Sequence, residues 1–151
     1  MATMNRREFV ITATGAAALA IAGMPTMALG AENDAAKRMA DFTGGATPSD
    51  GGITLSMPEI AENGNTVPIG VSVDSPMSAD NYVESVIILA DGNPNAGVVT
   101  FHFTPMAGVA EASTRMRLAK TQNVIAVAKM SDGSFTKTET LVKVTIGGCG
   151  G

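Results

Sequence analysis

The stretch that decides the fold is VIAVAKMSDGSFTKTETLVKVTI, residues 124–146. Two runs rich in β-branched residues flank a polar turn centred on Asp132 and Gly133. An Asp-Gly pair between two apolar runs is a strong signal for a β-hairpin, because glycine reaches the positive φ values that tight turns require. The segment therefore predicts two antiparallel strands, Val124–Met130 and Phe135–Ile146.

Five segments further upstream have the same character, with apolar residues that alternate or run continuously between turn signals. They are Ile53–Met57, Val67–Val73, Tyr82–Ala90, Val98–Thr104 and Ala112–Leu118. A short helix is predicted before them, from Ala35 to Phe42, with Asn33 and Asp34 as caps and Gly44-Gly45 as its end. About seven strands at short spacing, with little helix, predict an all-β fold, an antiparallel sandwich of immunoglobulin-like type.

The composition excludes several classes of function. The 151 residues include ten Lys and Arg, fourteen Asp and Glu, one His and one Cys, for a net charge of -4. This balance lacks the dense positive field that neutralises phosphates, so nucleic acid is not expected as a partner. One His and one Cys cannot assemble a multi-ligand metal cage within one chain, so we expect no metal and no other cofactor.

The first thirty residues have the organisation of an export signal. Arg6 and Arg7 precede an apolar run that is shorter than the roughly 20 residues of a membrane-spanning helix. The arginine pair, followed two residues later by Phe9, resembles the twin-arginine signal that exports folded proteins. Small residues before Ala31 predict cleavage between Gly30 and Ala31.

This interpretation divides the chain into three parts. Residues 1–30 are predicted to be a twin-arginine signal peptide, and residues 31–146 one acidic domain of about 120 residues, within the usual size range. Residues 147–151 form a tail. We expect the mature protein in the periplasm, without a membrane anchor; its compartment permits disulfides, but a single Cys cannot form an internal one.

The tail Gly147-Gly148-Cys149-Gly150-Gly151 follows directly from the last predicted strand. Four glycines around one thiol impose little steric constraint, and five extended residues reach roughly 15 Å at about 3.3 Å each. The pattern predicts a swinging arm, in which Cys149 carries a covalently attached substrate. The four glycines are assigned to reach and clearance.

Three classes of protein remain compatible with a thiol in this position. The first is a covalent carrier, the second an exported binding or adhesion module whose Cys149 only forms an intermolecular disulfide, and the third an enzyme with a nucleophilic Cys149. An enzyme needs a base beside the thiol, and His102 is the one histidine, but a single strand histidine is usually structural and receives no role. Arg115 and Arg117 share one face of a predicted strand and are a candidate docking site for an anion or an acidic partner.

Beyond these patterns, the sequence resembles the SoxY family of thiosulfate-oxidation carriers. The resemblance lies in Pro58–Gly64, in the stretch from Lys120 to Gly133, and in the pentapeptide tail behind a twin-arginine signal. It implies an immunoglobulin-like sandwich that forms a heterodimer with the small β-protein SoxZ. It also implies that Cys149 is the residue to which thiosulfate is conjugated.

The same resemblance implies transient partners that supply the chemistry. The c-type cytochrome complex SoxXA would conjugate thiosulfate to the thiol, and the hydrolase SoxB would release sulfate. The sulfur dehydrogenase SoxCD, where present, would oxidise the remaining sulfur. The chain itself is then expected to catalyse none of these steps.

Overall fold

The structure, a computed structural model, describes residues 34–148. The predicted signal peptide and its cleavage site, the cap Asn33, and the tail residues Cys149, Gly150 and Gly151 lie outside the described residues. Within residues 34–148, no helix is both long and apolar enough to cross a membrane.

The predicted helix is present as α1, Ala35–Thr43. Gly44 ends it in the left-handed conformation, at φ 63°, which glycine adopts without the penalty of a Cβ. Asp34 precedes the helix, but its side chain makes no capping bond. The Asp34 carboxylate instead accepts hydrogen bonds from Arg38 Nε at 2.6 Å and from the backbone N–H of Ala96 at 3.0 Å. The predicted capping role of Asp34 is therefore wrong, because two other donors use its carboxylate.

The described residues form nine strands and one short 3-10 turn, Pro105–Ala107. The strands are β1 Ser49–Asp50, β2 Ile53–Ser56, β3 Ile60–Asn63, β4 Val67–Val73, β5 Val83–Ala90, β6 Gly97–His102, β7 Ala110–Met116, β8 Gln122–Met130 and β9 Phe135–Ile146.

These strands build two sheets. The larger has six strands, in the order β1-β9-β8-β5-β6 with β3 also paired to β9, and the smaller has three, in the order β2-β4-β7. The predicted all-β sandwich is confirmed. Strands β1 and β3 were not predicted, and both pair with β9 in parallel, whereas the other pairs are antiparallel. Each is at most four residues long and mostly exposed, so neither shows the apolar alternation that marks a strand.

The main core lies between the two sheets. Strand β4 alternates buried and more exposed residues from Val67 to Val73, as its sequence predicts. Strand β5 contributes Val86 and Ile88, both fully buried, to the same core. These residues come from both sheets, so the core joins the two layers.

The near-continuous apolar run of β5 has a separate explanation. Leu89 lies on the opposite face from Ile88 and is also fully buried, as is Val127 of β8. Helix α1 covers this second face, where the Phe42 and Phe135 rings meet edge to face with centroids 6.0 Å apart. Strand β5 is therefore apolar on both sides because both sides are covered.

The Asp-Gly hairpin between β8 and β9 is confirmed. Gly133 has φ 84°, and the Met130 N–H donates to the carbonyl oxygen of Ser134 at 2.9 Å. The Asp132 carboxylate accepts hydrogen bonds from the hydroxyl and, second, from the N–H of Ser134, and these bonds lower the pKa of Asp132. The turn sets the register of β9, and β9 leads directly into the tail.

Candidate functional site: the base of the C-terminal tail

The tail leaves the domain at the end of β9, beyond Ile146. Strand β3 runs beside this last part of β9, with Asn63 opposite Ile146. On the other side, the Thr121 hydroxyl accepts a hydrogen bond from the Val144 N–H at 2.9 Å. The final residues of β9 are thus held from both sides before the tail begins.

Three backbone hydrogen bonds connect the end of β9, two loops and the tail residue Gly148. The Gly64 N–H donates to the carbonyl oxygen of Ile146 at 2.7 Å, and the Leu118 N–H donates to the carbonyl oxygen of Gly64 at 2.8 Å. The Gly148 N–H donates to the carbonyl oxygen of Leu118 at 2.9 Å. We call Gly64, Leu118, Gly147 and Gly148 the glycine clasp. Gly64, Leu118 and Gly148 are buried.

Each glycine of the clasp lies against another stretch of backbone. A Cβ on Gly64 would lie 2.2 Å from the carbonyl oxygen of Leu118, and one on Gly148 would lie 2.6 Å from the carbonyl oxygen of Gly64. A Cβ on Gly147 would lie 2.1 Å from the carbonyl oxygen of Ala119. Any side chain at these three positions would push the backbones apart.

This packing changes the interpretation of the first two tail glycines. The sequence analysis assigned Gly147 and Gly148 to reach and clearance, but the structure shows that both are required for close approach to neighbouring backbone. Gly150 and Gly151 lie outside the described residues, and their assignment to a flexible arm stays a prediction.

Two buried amide side chains organise the loop that receives the tail. Asn93 Oδ1 accepts hydrogen bonds from the Ala119 N–H at 2.9 Å and from Gln122 Nε2 at 2.8 Å, while Asn93 Nδ2 donates to the carbonyl oxygen of Arg117 at 2.9 Å. Gln122 Oε1 accepts from the Gly92 N–H at 2.7 Å. The β5–β6 turn thereby holds residues 117–122 in the shape that presents Leu118 to Gly148. Sequence reasoning assigned no role to Asn93 or Gln122.

His102 lies far from the base of the tail. It is exposed on β6, the edge strand of the large sheet, and it pairs with Ser85 at the end where the β8–β9 hairpin turns. Three strand spacings separate β6 from β9, or roughly 14 Å at about 4.8 Å each, and Ile146 is at the other end of the sheet. The structure does not bring His102 to the tail.

Arg115 and Arg117, by contrast, flank the clasp. Both are exposed, and both line a surface groove next to Asn93. Arg115 Nη1 donates to the Thr66 hydroxyl at 3.3 Å, two residues after Gly64. Strand β7 ends at Met116, so Arg117 belongs to the loop that holds the tail. Whether they dock an anion or an acidic partner stays a prediction.

Within the described part of the chain, no group of three or more His, Cys, Asp or Glu side chains could hold a metal ion. The base of the tail consists of hydrogen-bonded backbone, with the exposed side chains of Arg115 and Arg117 beside it.

Residues 39–149 match the family of the sulfur oxidation protein SoxY. The chain belongs to the SoxY family. A solved structure of the sulfur carrier protein SoxY from Chlorobium limicola f thiosulfatophilum is 32% identical, with a TM-score of 0.61, over 74% of this chain and 96% of that chain. The family match extends through the clasp glycines to Cys149.

Some solved structures outside the SoxY family have a similar fold. A superoxide reductase (neelaredoxin) from Ignicoccus hospitalis is 16% identical, with a TM-score of 0.56, over 62% of this chain and 80% of that chain. A putative superoxide reductase from Thermotoga maritima is 17% identical, with a TM-score of 0.52, over 69% and 90%. At these identities the likeness shows the sandwich fold alone. No curated protein matches the sequence.

Proposed function

We propose that this SoxY-family chain carries thiosulfate-derived sulfur as a covalent adduct on Cys149. Family membership makes the chain a sulfur carrier of the Sox system, and a substrate-bearing subunit rather than an enzyme. The observation that carries the assignment of the site is that the chain has one cysteine, and that the family match ends on it. Gly148, which immediately precedes Cys149 in the sequence, is buried in the domain, so the cysteine follows directly after a packed residue.

The loading step is a two-electron oxidation that forms a sulfur–sulfur bond. The Cys149 thiol and the outer sulfur of thiosulfate lose one proton and two electrons and give Cys–S–S–SO3⁻. A c-type cytochrome complex of the SoxXA kind accepts the electrons. In this step the chain supplies the Cys149 thiol.

The unloading step is a hydrolysis without electron transfer. Water attacks the terminal sulfone sulfur, sulfate and one proton leave, and Cys–S–SH remains on the carrier. We assign this step to a hydrolase of the SoxB kind. A sulfur dehydrogenase of the SoxCD kind, where present, oxidises the remaining sulfur. Covalent attachment keeps the sulfur bound while successive active sites provide the metals and bases.

The partners and the compartment belong to the same proposal. Family membership implies partners of the Sox system in general. We assign a stable heterodimer with SoxZ, supported by the resemblance in sequence. We also assign a periplasmic location, supported by Arg6 and Arg7 ahead of a short apolar run and a cleavage site before Ala31.

Intact mass spectrometry of the protein from thiosulfate-grown cells tests the assignment. The periplasmic fraction should yield a chain that begins at Ala31 and carries adducts of about +32 Da, for one sulfur, or about +112 Da, for a thiosulfonate. Reductant should remove both, and the C-terminal peptide should contain them. The wild type should therefore show the adduct masses without reductant and only the unmodified mass with reductant.

Cys149→Ser is the matched control, since it replaces one sulfur by oxygen and leaves the rest of the tail unchanged. The variant should be exported normally and carry no adduct. A wild-type thiol that stays unmodified, or that forms only a protein disulfide, would contradict the carrier assignment. Such a result would favour a binding module whose Cys149 dimerises.

A further inference from the structure

We infer that Arg115, Arg117 and Lys120 form a docking surface for an acidic patch on an enzyme that acts on the carried sulfur. We call these three residues the basic rim. The inference rests on the proposed carrier role, and it names the chemistry of the surface that such an enzyme brings to the carrier. The rim belongs to the folded domain and not to the tail.

Positive charge is concentrated around the rim. Residues 112–131 contain four basic side chains and no Asp or Glu, although the whole chain has fourteen acidic residues and only ten basic ones. None of the rim residues takes part in the four ion pairs within residues 34–148, whose cations are Lys37, Arg38, Lys129 and Lys137. The rim therefore presents three positive charges, free of ion pairs in this part of the chain, on an acidic protein.

The backbone beneath the two arginines is held by buried groups. Met116 is 4% exposed and Leu118 is fully buried, whereas the alternate residues Arg115 and Arg117 are exposed. The carbonyl oxygen of Arg117 also accepts a hydrogen bond from Asn93 Nδ2 at 2.9 Å. The charged side chains thus leave from ordered backbone, so a partner that binds them does not have to order this segment first.

Lys120 continues the rim across the β5–β6 turn. Its side chain lies over Gly92, where a Cβ would come within 3.0 Å of Lys120 Cε. Both arginines of the rim line a neighbouring groove of about 290 Å³, together with Asn93 and Asn95 and without any carboxylate. An aspartate or glutamate side chain of a partner suits this groove, because a guanidinium binds a carboxylate through two parallel hydrogen bonds.

The rim lies at the end of the domain from which the tail leaves. Leu118, which lies between two rim residues, is bonded through its backbone to Gly64 and Gly148. An enzyme that acts on sulfur carried by the tail must bring its own surface to this end of the domain. Opposite charge on that surface accelerates the encounter without changing the chemistry that follows.

A protein surface fits the rim better than a free small anion does. The three side chains are exposed and are distributed over residues 115–120, so they do not enclose a single ion. An extended acidic surface can meet all three charges at once. We therefore assign the rim to an acidic protein surface and not to free thiosulfate or sulfate.

Steady-state kinetics with the purified enzymes test this assignment. The mature carrier is the substrate of the SoxXA-type complex and, once loaded, of the SoxB-type hydrolase, and the adduct mass on Cys149 is followed over time. One variant combines Arg115→Gln, Arg117→Gln and Lys120→Gln. We expect it to raise the KM for the carrier by more than about tenfold at about 0.01 M salt with at least one enzyme, with an unchanged kcat. At about 1 M salt, where screening is nearly complete, the difference should disappear.

The matched control combines Lys37→Gln, Lys129→Gln and Lys137→Gln. It removes the same three positive charges from positions outside the rim, so it should keep the wild-type KM. Arg117→Lys keeps the charge and should keep the salt dependence. Isothermal titration calorimetry of the unloaded carrier with each enzyme makes the same comparison without the reaction.

Equal KM values and affinities for the rim variant and the control variant with both enzymes would overturn the inference, provided that circular dichroism shows both to be folded. A rim variant that raises only the KM for thiosulfate would also overturn it, because the groove would then bind a small anion. The proposed function fails separately. A wild-type chain without adducts loses the carrier role, whatever calorimetry shows for the rim, whereas a carrier with adducts and an inert rim keeps it.

Discussion

The carboxylate of Asp34 joins helix α1 to the β5–β6 region. It is bonded to Arg38 Nε and to the Ala96 N–H. The bond from Arg38 and, second, the bond from Ala96 lower the pKa of Asp34 below its usual value of 3.8. Because the folded state favours the charged carboxylate, Asp34 stabilises the fold above pH 3.8. That contribution is lost as the pH falls through the lowered pKa.

We expect Asp34→Asn to lower the Tm at pH 7 and to converge with the wild type in acid. The difference should shrink below about pH 4, where the carboxylate begins to take up a proton in the unfolded chain, and it should vanish at a pH below the lowered pKa of the folded protein. Thermal unfolding followed by circular dichroism at a series of pH values measures it. Asp41→Asn is the control, since its pair with Lys37 is highly exposed, at 67% and 78% of the two side chains. A pH dependence shared by both variants would contradict the prediction.

At the scale of elements, the turn between β5 and β6 supports the loop between β7 and β8. Asn93 is 4% exposed and bonds to Arg117, Ala119 and Gln122. This loop supplies Leu118 to the clasp. Two turns that are distant in sequence thus act as one support for the base of the tail.

Asn93→Ala should destabilise the protein by about 1–3 kcal/mol, because buried donors and acceptors lose their partner. Chemical denaturation gives the free energy of unfolding. The variant should also weaken the protection of the Gly148 amide while the amides of β9 stay protected. Asn81→Ala is the control, at an exposed asparagine that bonds through its backbone N–H and C=O. Loss of stability without any change at Gly148 would show that the turn does not support the clasp.

At the scale of the whole molecule, the sandwich separates its one histidine from its thiol-bearing end. His102 lies on the edge strand β6, and the tail leaves from the other side and other end of the same sheet. A base at that distance cannot reach the residue that follows Gly148. The geometry agrees with a family of carriers rather than enzymes.

We expect His102→Ala to load sulfur at the wild-type rate when the loading enzymes are supplied. The adduct masses on Cys149, followed over time, provide the measurement. Cys149→Ser under the same conditions should stay unloaded. A folded His102→Ala protein that fails to load would restore a chemical role for the histidine.

Regular patterns made much of the fold predictable. Val67–Val73 is a strand with the bounds its alternation predicts, and the Asp132-Gly133 turn forms between the expected strands. Strands β1 and β3 carry no such pattern. They form where the chain lies beside β9 and pairs with its free edge. The Asp34 carboxylate likewise bonds to a residue, Ala96, that no local rule connects to it.

The sequence by itself determined the sandwich class, the single thiol, its place in a glycine-rich tail and the likeness to a sulfur-oxidation family. These features depend on residue type and local order, which a sequence displays directly. The tertiary structure alone decided that Gly147 and Gly148 are packed, because Gly64, Leu118 and Gly148 belong to three separate segments. In the sequence, a close contact between two backbones is visible only as a glycine. A glycine is equally compatible with a flexible segment and with close packing.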